Sequence, residues 1–342
     1  MKAQQNSSNS RRATRRRSAK EALRKLYSQF GFKDQVLITI DPDPDSIGSA
    51  LALKRLLWHK VQSTTIGIIR PVKRLNNLTL VRLLRIPLVL LNKDQIDEFD
   101  RFLIVDGQPH HNEVFKGIPY TGIIDHHPLD ETANDAPFID VRPDYGATST
   151  ILTEYLRAAK IKPSQTLATA LLYGIKTDTR NFERHTTVED IDAFHYLFSL
   201  ANHNILRKVE ISDLSLKDLK VFQKAIERKH VIKDRIFAHL DEISNPDTLV
   251  VIAEFFLKVY DISWSVISGV YEDRLIVIIR SDGYRKDAGR TVSRAFKNMG
   301  VAGGHQAMAR AEIPLKKLNE VVEKVNSKTI ERFVRKRLSP FA

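Results

Sequence analysis

Three short apolar runs in this chain each break off at an aspartate. Residues 36–40 lead into Asp41-Pro-Asp43-Pro-Asp45, residues 103–105 into Asp106, and residues 122–124 into Asp125-His126-His127. Runs of that length, β-branched and bounded by turn residues, read as buried strands. Behind the first run Ala50, Leu53, Leu56 and Leu57 fall at helical spacing, and helical patterns recur over 147–158, 165–173 and 188–200. Further strands are expected at 65–69 and 138–141. Strands interleaved with helices imply an α/β fold whose mainly parallel sheet is flanked by helices. Such sheets put their sites at the carboxyl edge of the strands, where these acids fall.

The pattern changes after a connecting helix expected over 214–229. A strand at 236–240, a helix around 250–259, strands at 263–271 and 274–280, and a helix at 288–299 lead into a Gly-rich loop. This reads as a second, smaller α/β domain, in keeping with a length of 342 residues.

The absence of cysteine excludes disulfides, Cys-zinc sites, iron–sulfur clusters and a thiol nucleophile. No apolar run approaches the roughly 18 residues of a membrane span; residues 83–91 are short and carry Arg85. The N-terminus has positive charge with no apolar stretch behind it, unlike a secretory signal, so a cytoplasmic setting away from membranes is expected. Residues 1–25 hold nine Lys and Arg against Glu21, +8 of a net +13. That run reads either as an arm that attracts the phosphates of nucleic acid or as a solvated tail. A helix containing Leu23 and Leu26 can begin near Ser18, and the 332–337 basic cluster reads as the polar face of a terminal helix.

A fourth acidic segment, Gly174-Ile-Lys-Thr-Asp178-Thr179, joins the three strand ends. Carboxylates brought side by side repel unless a cation neutralises them. A mixed carboxylate and imidazole shell suits Mn, Fe, Co or Zn better than Ca, with Mg possible. Several shared acids imply two ions roughly 3.5–4 Å apart, the arrangement that activates water and clamps a phosphoryl group. Taken singly, the residues have simpler roles: Asp43 or Asp45 as a helix N-cap, Asp106 in an Asx-turn, His126-His127 as a surface pair. His59, His185, His195, His203, His230 and His239 read as structural.

Together the four segments resemble the DHH phosphoesterase family, named for the Asp125-His126-His127 triplet. The Asp43-x-Asp45 loop ending in Gly48-Ser49, Asp106 with Gln108-Pro109, and Gly174-Ile175-x-Thr177-Asp178-Thr179 follow its motifs in order. Residues 279–281 and Gly303-Gly304-His305 are similar to the arginine-bearing strand and Gly-Gly-His loop of its C-terminal DHHA1 domain. The resemblance covers roughly residues 30–315 of the sequence. It implies a DHH metal-binding catalytic domain at 29–210, a linker helix at 211–232 and a DHHA1-like substrate-binding domain at 233–342, after a tail at 1–28 expected from its composition to be basic and disordered.

The resemblance also implies two divalent ions, usually manganese. Asp106 would bridge both, Asp43 would bind the first, and Asp45, His126 and Asp178 the second. His127 would contact the scissile phosphate or protonate the leaving group, with Asp125 orienting His126. Arg280 and His305 would hold substrate phosphates, Gly303 and Gly304 allowing close backbone approach. The chain departs from the family at Thr39, four residues before Asp43, where an imidazole ligand to the first ion is usual. Its Gly-Gly-His loop continues as Gln306-Ala-Met-Ala-Arg310, and Arg310 reads either as a further phosphate contact or as an exposed basic side chain.

The leading expectation is a metal-dependent phosphodiesterase or phosphatase on short RNA or DNA oligonucleotides, dinucleotides or 3′-phosphoadenosine 5′-phosphate. The two-domain size favours it over a long processive RecJ-like exonuclease, and the Gly-Gly-His loop over an inorganic pyrophosphatase. The alternative is a catalytically weak nucleotide-binding regulator on the same fold, with the basic tail as contact arm. The sequence is compatible with an oligomer.

Overall fold

A computed structural model of the chain describes residues 18–130, 135–284, 286–322 and 325–338. It divides into two compact units, Met1–Ser212 and Asp213–Ala342.

The first unit is built on six strands, all parallel: β1 (Gln35–Ile40), β2 (Ser63–Ile68), β3 (Leu88–Leu90), β4 (Arg101–Val105), β5 (Gly122–Asp125) and β6 (Phe138–Val141). Their order is β3-β2-β1-β4-β5-β6. The chain winds outward from β1 in one direction, then returns to place β4 on its other side. The loops leaving β1 and β4 therefore diverge and open a crevice at their carboxyl ends. Helix α1 (residues 18–27) precedes the sheet, and α2 (Pro44–Leu57) and α3 (Leu75–Leu84) lie among its first strands. After β6 come α4 (Thr148–Ala158), α5 (Gln165–Asp178), α6 (Val188–Phe198) and α7 (His203–Glu210).

Alternation along β1 sorts its side chains to two faces. Val36, Ile38 and Ile40 enter the main core with α2, α4 and α5. Leu37 enters a second cluster with Phe102, Ile104, Tyr120 and Ile123. Thr39 shares the face of Leu37 and is fully buried.

Several expectations need correction. The helix expected to begin near Ser18 is present over 18–27, with Ala19, Leu23 and Leu26 buried in the main core, so the disordered tail expected over 1–28 is too long; its residues 1–17 lie outside the described ones. Residues 83–91, read from the sequence only as too short for a membrane span, fall into two elements. Arg85 adopts a left-handed conformation (φ 51°) that ends α3, and Pro87 precedes β3. Helix α5 runs through Gly174 to Asp178, placing that aspartate on its last turn.

The second unit carries a mixed sheet in the order β11-β12-β10-β9-β8-β7. Its elements are α8 (Asp218–Glu227), β7 (His230–Ile232), β8 (Arg235–Glu242), α9 (Pro246–Leu257), β9 (Trp264–Tyr271), β10 (Arg274–Ser281), α10 (Ala288–Ala295), β11 (Val301–Gly304), β12 (Met308–Pro314), α11 (Leu315–Asn319) and α12 (Ser327–Leu338). The segment expected as a linker helix contributes α8, whose Ala225 is buried with β8 and α9. Two small core clusters occupy opposite faces of the sheet, because Ile276 and Ile278 of β10 enter one and Leu275, Val277 and Ile279 the other.

Candidate metal centre

The strand order brings together what the sequence separates. β1 neighbours β4, and β4 neighbours β5, so the segments carrying Asp43 and Asp45, Asp106, and Asp125-His126-His127 leave three adjacent strands on one edge. Asp45, Asp106, His126 and Asp178 each bring a ligand atom within 4.8 Å of the other three.

Each of the four is fixed by its surroundings. Asp43 is the N-cap of α2: Ser46 N–H donates to its Oδ1 at 2.9 Å, and the Ser46 hydroxyl bonds back around the same turn. With Asp43 holding the cap, Asp45 in the first turn points across to another helix. The backbone N–H groups of Thr148 and Ser149, at the N-terminus of α4, donate to its two carboxylate oxygens at 2.7 and 2.8 Å. A helix N-terminus is a favourable seat for a carboxylate. Asp106 has a left-handed backbone (φ 60°), and its Oδ1 accepts the Thr148 hydroxyl at 2.9 Å. Asp178 reaches the cluster because α5 packs closely on α2. A Cβ built on Gly174 would meet Ser149 Oγ at 2.5 Å and Asp45 Oδ1 at 3.0 Å, so only glycine permits that approach.

His126 is turned by the backbone. Its Nδ1–H donates to the Tyr145 carbonyl at 3.1 Å, which aims Nε2 at the carboxylates, 3.2 Å from Asp178 and 3.5 Å from Asp106. The loop bearing that carbonyl is itself held. Arg142 pairs with Asp140 and Glu154 at 2.7 Å each, and the fully buried Asp190 accepts Gly146 N–H at 2.9 Å.

The electrostatics are those of crowded, buried carboxylates. Burial, then repulsion from Asp178, pushes Asp45 up to about 6. Burial and the surrounding Asp45, Asp43 and Asp178 raise Asp106 well above the ordinary carboxylate range. Burial and Asp45 raise Asp43 as well. Burial alone would lower His126, but Asp178 and Asp45 hold it at about 9. His126 Nε2 is buried without a well-aligned hydrogen bond. A buried imidazole nitrogen facing three carboxylates, whose proton a cation would displace, fits a divalent transition ion, for which neutral nitrogen and anionic oxygen are suitable donors. Asp43 joins no group of three or more such donors among the described residues.

One expected role changes, and the departure at Thr39 finds its place. Asp125 does not hold the His126 ring; its carboxylate accepts His127 Nδ1–H at 2.8 Å and only the backbone N–H of His126. Burial would raise Asp125, but the His127 contact and the Gln108 amide at 2.7 Å outweigh it and lower its pKa. Thr39 is committed elsewhere, its hydroxyl 3.2 Å from the Leu103 carbonyl and 2.9 Å from the Tyr120 hydroxyl.

The remaining residues singled out from sequence lie in the second unit. Arg280 on β10 pairs with Glu254 of α9 at 3.1 Å. Gly303 and Gly304 form strand β11 and not a loop. A Cβ at Gly304 (φ 150°) would meet the Met308 carbonyl at 2.2 Å. His305 follows, its backbone N–H bonded to Met308 and its carbonyl to Gly289 at the start of α10. Arg310 pairs with Glu312 at 2.9 Å.

Sequence reasoning missed Thr148, Ser149, Tyr145 and the structural role of Gln108. The Thr-Ser-Thr run opening α4 is the one signal that pointed to two of them, since hydroxyl residues gather at helix N-termini.

Comparison with known proteins agrees with this geometry. Residues 35–175 match the model of the DHH family, N-terminal domain. An uncharacterised protein of Methanocaldococcus jannaschii is 34% identical over 305 residues, 89% of this chain and 63% of its own length. The cyclic-di-AMP phosphodiesterase PdeA of Listeria monocytogenes is 26% identical over 298 residues, 78% of this chain and 43% of its own. The chain thus spans less than two thirds of either relative. A crystal structure of an exopolyphosphatase-related protein from Bacteroides fragilis has the same fold, with a TM-score of 0.67 at 18% identity over 95% of this chain and 96% of that one.

Proposed function

Through residues 35–175 the chain belongs to the DHH family, and from that premise we propose that it is a divalent-metal-dependent phosphoesterase acting on short oligonucleotides or small nucleotides. The observation that carries this reading is the group Asp45, Asp106, His126 and Asp178, with its imidazole nitrogen aimed at crowded carboxylates. These four would hold one ion, manganese or magnesium. A second would depend on Asp43 and Asp106, completed by water or substrate in place of the missing imidazole at Thr39. A divalent cation bound here supplies Lewis acidity to a phosphoryl oxygen and activation of water.

The chain's own residues do the rest. The α4 amides and the Thr148 hydroxyl fix Asp45 and Asp106 in one geometry, so little reorganisation accompanies metal uptake. His127, half-exposed and oriented by Asp125, is placed to donate a proton toward a leaving oxygen. Arg280, Gly303, Gly304 and His305 are the proposed phosphate contacts of the second unit, and the basic residues near the N-terminus the contact for longer nucleic acid. The name of the Listeria relative supports a nucleotide diester as substrate class.

A second reading is favoured by Thr39 alone. With its hydroxyl engaged by Leu103 and Tyr120, the first ion lacks a donor, which suits a protein that binds nucleotides and turns them over slowly. One experiment separates the two. The purified chain with manganese is offered linear and cyclic dinucleotides, short RNAs and 3′-phosphoadenosine 5′-phosphate. Metal-dependent turnover of any of them supports the enzyme; metal-dependent binding with no turnover supports the regulator.

A further inference from the structure

Segment 109–111 contributes two histidines to which the metal centre gives no role. Their rings continue a row: His110 to His111 at 4.4 Å, His111 to His127 at 5.2 Å, and His127 to His126 at 4.5 Å between centroids. His111, Asp125 and His127 also bring ligand atoms within 4.8 Å of one another, which has the outline of a cation site.

Hydrogen-bond polarity speaks against a cation. The backbone N–H of Gln108 points at His111 Nδ1 at 3.2 Å, so that nitrogen bears the lone pair and the ring proton sits on Nε2. His127 Nδ1–H is engaged by Asp125, and Asp125 also accepts the Gln108 side-chain amide. A cation at this trio needs bare nitrogens, and the bare nitrogen of His111 already accepts a bond. What remains is an N–H donor on an exposed ring, with no protein acceptor among the described residues, beside the half-exposed His127. Burial, with His110 and His127 alongside, lowers the His111 pKa despite Asp125, which keeps the ring neutral near pH 7.

We infer that His111 donates its Nε2–H to a phosphoryl oxygen of the substrate, next to the one His127 contacts. The inference rests on the phosphoesterase reading and adds a substrate contact to it. Gln108 is then the shared pivot. Fully buried, it fixes the His111 ring through its backbone N–H and the His127 ring through Asp125, so both donors are set by one side chain and its main chain.

The test uses the full chain with manganese, and inorganic phosphate as probe. Calorimetry on wild type, His111→Leu and His111→Gln should give equal manganese affinity. Phosphate affinity should fall about tenfold to a hundredfold in His111→Leu, the range for one hydrogen bond to a charged group. His111→Gln, which keeps an N–H donor, should recover most of it. Long-range nitrogen–proton NMR on wild type should show the Nε2–H tautomer of His111. Unchanged phosphate affinity in His111→Leu, or an Nδ1–H tautomer, overturns the inference. Weaker manganese binding in His111→Leu overturns it too, by making His111 a ligand. A wild-type protein that takes up no manganese defeats the phosphoesterase reading instead, and the tautomer still decides how His111 is oriented.

Discussion

Raising the pH of the metal-free protein from 6.5 to 9 should destabilise the first unit by about 3 kcal/mol. The reason lies in His126, held at about 9 by Asp178 and Asp45 against an unfolded value near 6.5. A histidine whose folded pKa is raised contributes stability that is fully present below the unfolded pKa and lost as pH rises through the folded one. The gap of roughly 2.5 pH units, at 1.36 kcal/mol per unit, gives the magnitude. Asp45 acts with the same sign but earlier. Its value of about 6 means its contribution is gone before the window opens. His127 is also raised, so it can only deepen the fall. Trp58 lies in the first unit and Trp264 in the second, so urea unfolding of a Trp264→Phe protein in chelator, followed by fluorescence, reads the first unit alone. His126→Gln, which keeps an amide for Tyr145 but never carries charge, should flatten most of the slope. Saturating magnesium should also flatten it, by replacing the proton as counter-charge and adding about 2.7 kcal/mol at a hundred times its dissociation constant. A metal-free first unit whose stability is level or rising over this range would refute the reasoning.

Gly174→Ala should cost about 1–3 kcal/mol by overpacking against Ser149 and Asp45. It should also weaken manganese binding, because Asp178 sits one turn further on; thermal melts and metal titrations read the two effects. Gln108→Leu should leave manganese affinity intact and lower turnover at least tenfold, since it removes the buried donor to Asp125 that steadies His127; a pH–rate profile displaced from wild type is the accompanying signature. In the second unit, burial outweighs Asp241 and pushes His239 down to about 4, so acidification from 6.5 to 4 should destabilise that unit by about 3 kcal/mol, and His239→Gln should remove the effect in acid unfolding monitored by Trp264. Thr39→Val should lower stability by about 1–2 kcal/mol through loss of its buried hydrogen bonds with no change in metal affinity, which calorimetry decides.

The acids at the ends of β1, β4 and β5 were legible because a parallel sheet leaves a strong mark: short buried runs, helical spacing between them, polar residues at one end only. What orients those acids was not, for a definite reason. The Tyr145 carbonyl and the amides of Thr148 and Ser149 are main-chain groups, and no residue type advertises where a main chain will point. The destination of Thr39 depended on which face of β1 met Tyr120, a matter of pleat and register. Strand β11 was obscured by Gly303 and Gly304, and β12 because two of its three alternating apolar positions are the small Ala309 and Ala311. Helix α1 was legible through Leu23 and Leu26 at helical spacing despite the charge around them.

The four candidate ligands sit on four segments that are far apart along the chain and adjacent only through the strand order. No local fragment can assemble them: a chain stopping before α5 would possess Asp45, Asp106 and His126 but not Asp178. Ions therefore cannot nucleate this unit in the way they nucleate a small finger, whose ligands lie within a few turns of one another. Long loops must close before the site exists, so the slow topological search comes first and ion capture last. During synthesis Asp43, Asp45 and Asp106 would confront each other as soon as β4 pairs with β1. Asp178 would add the last share of repulsion when α5 docks on α2, at the moment the full ligand set can hold a cation.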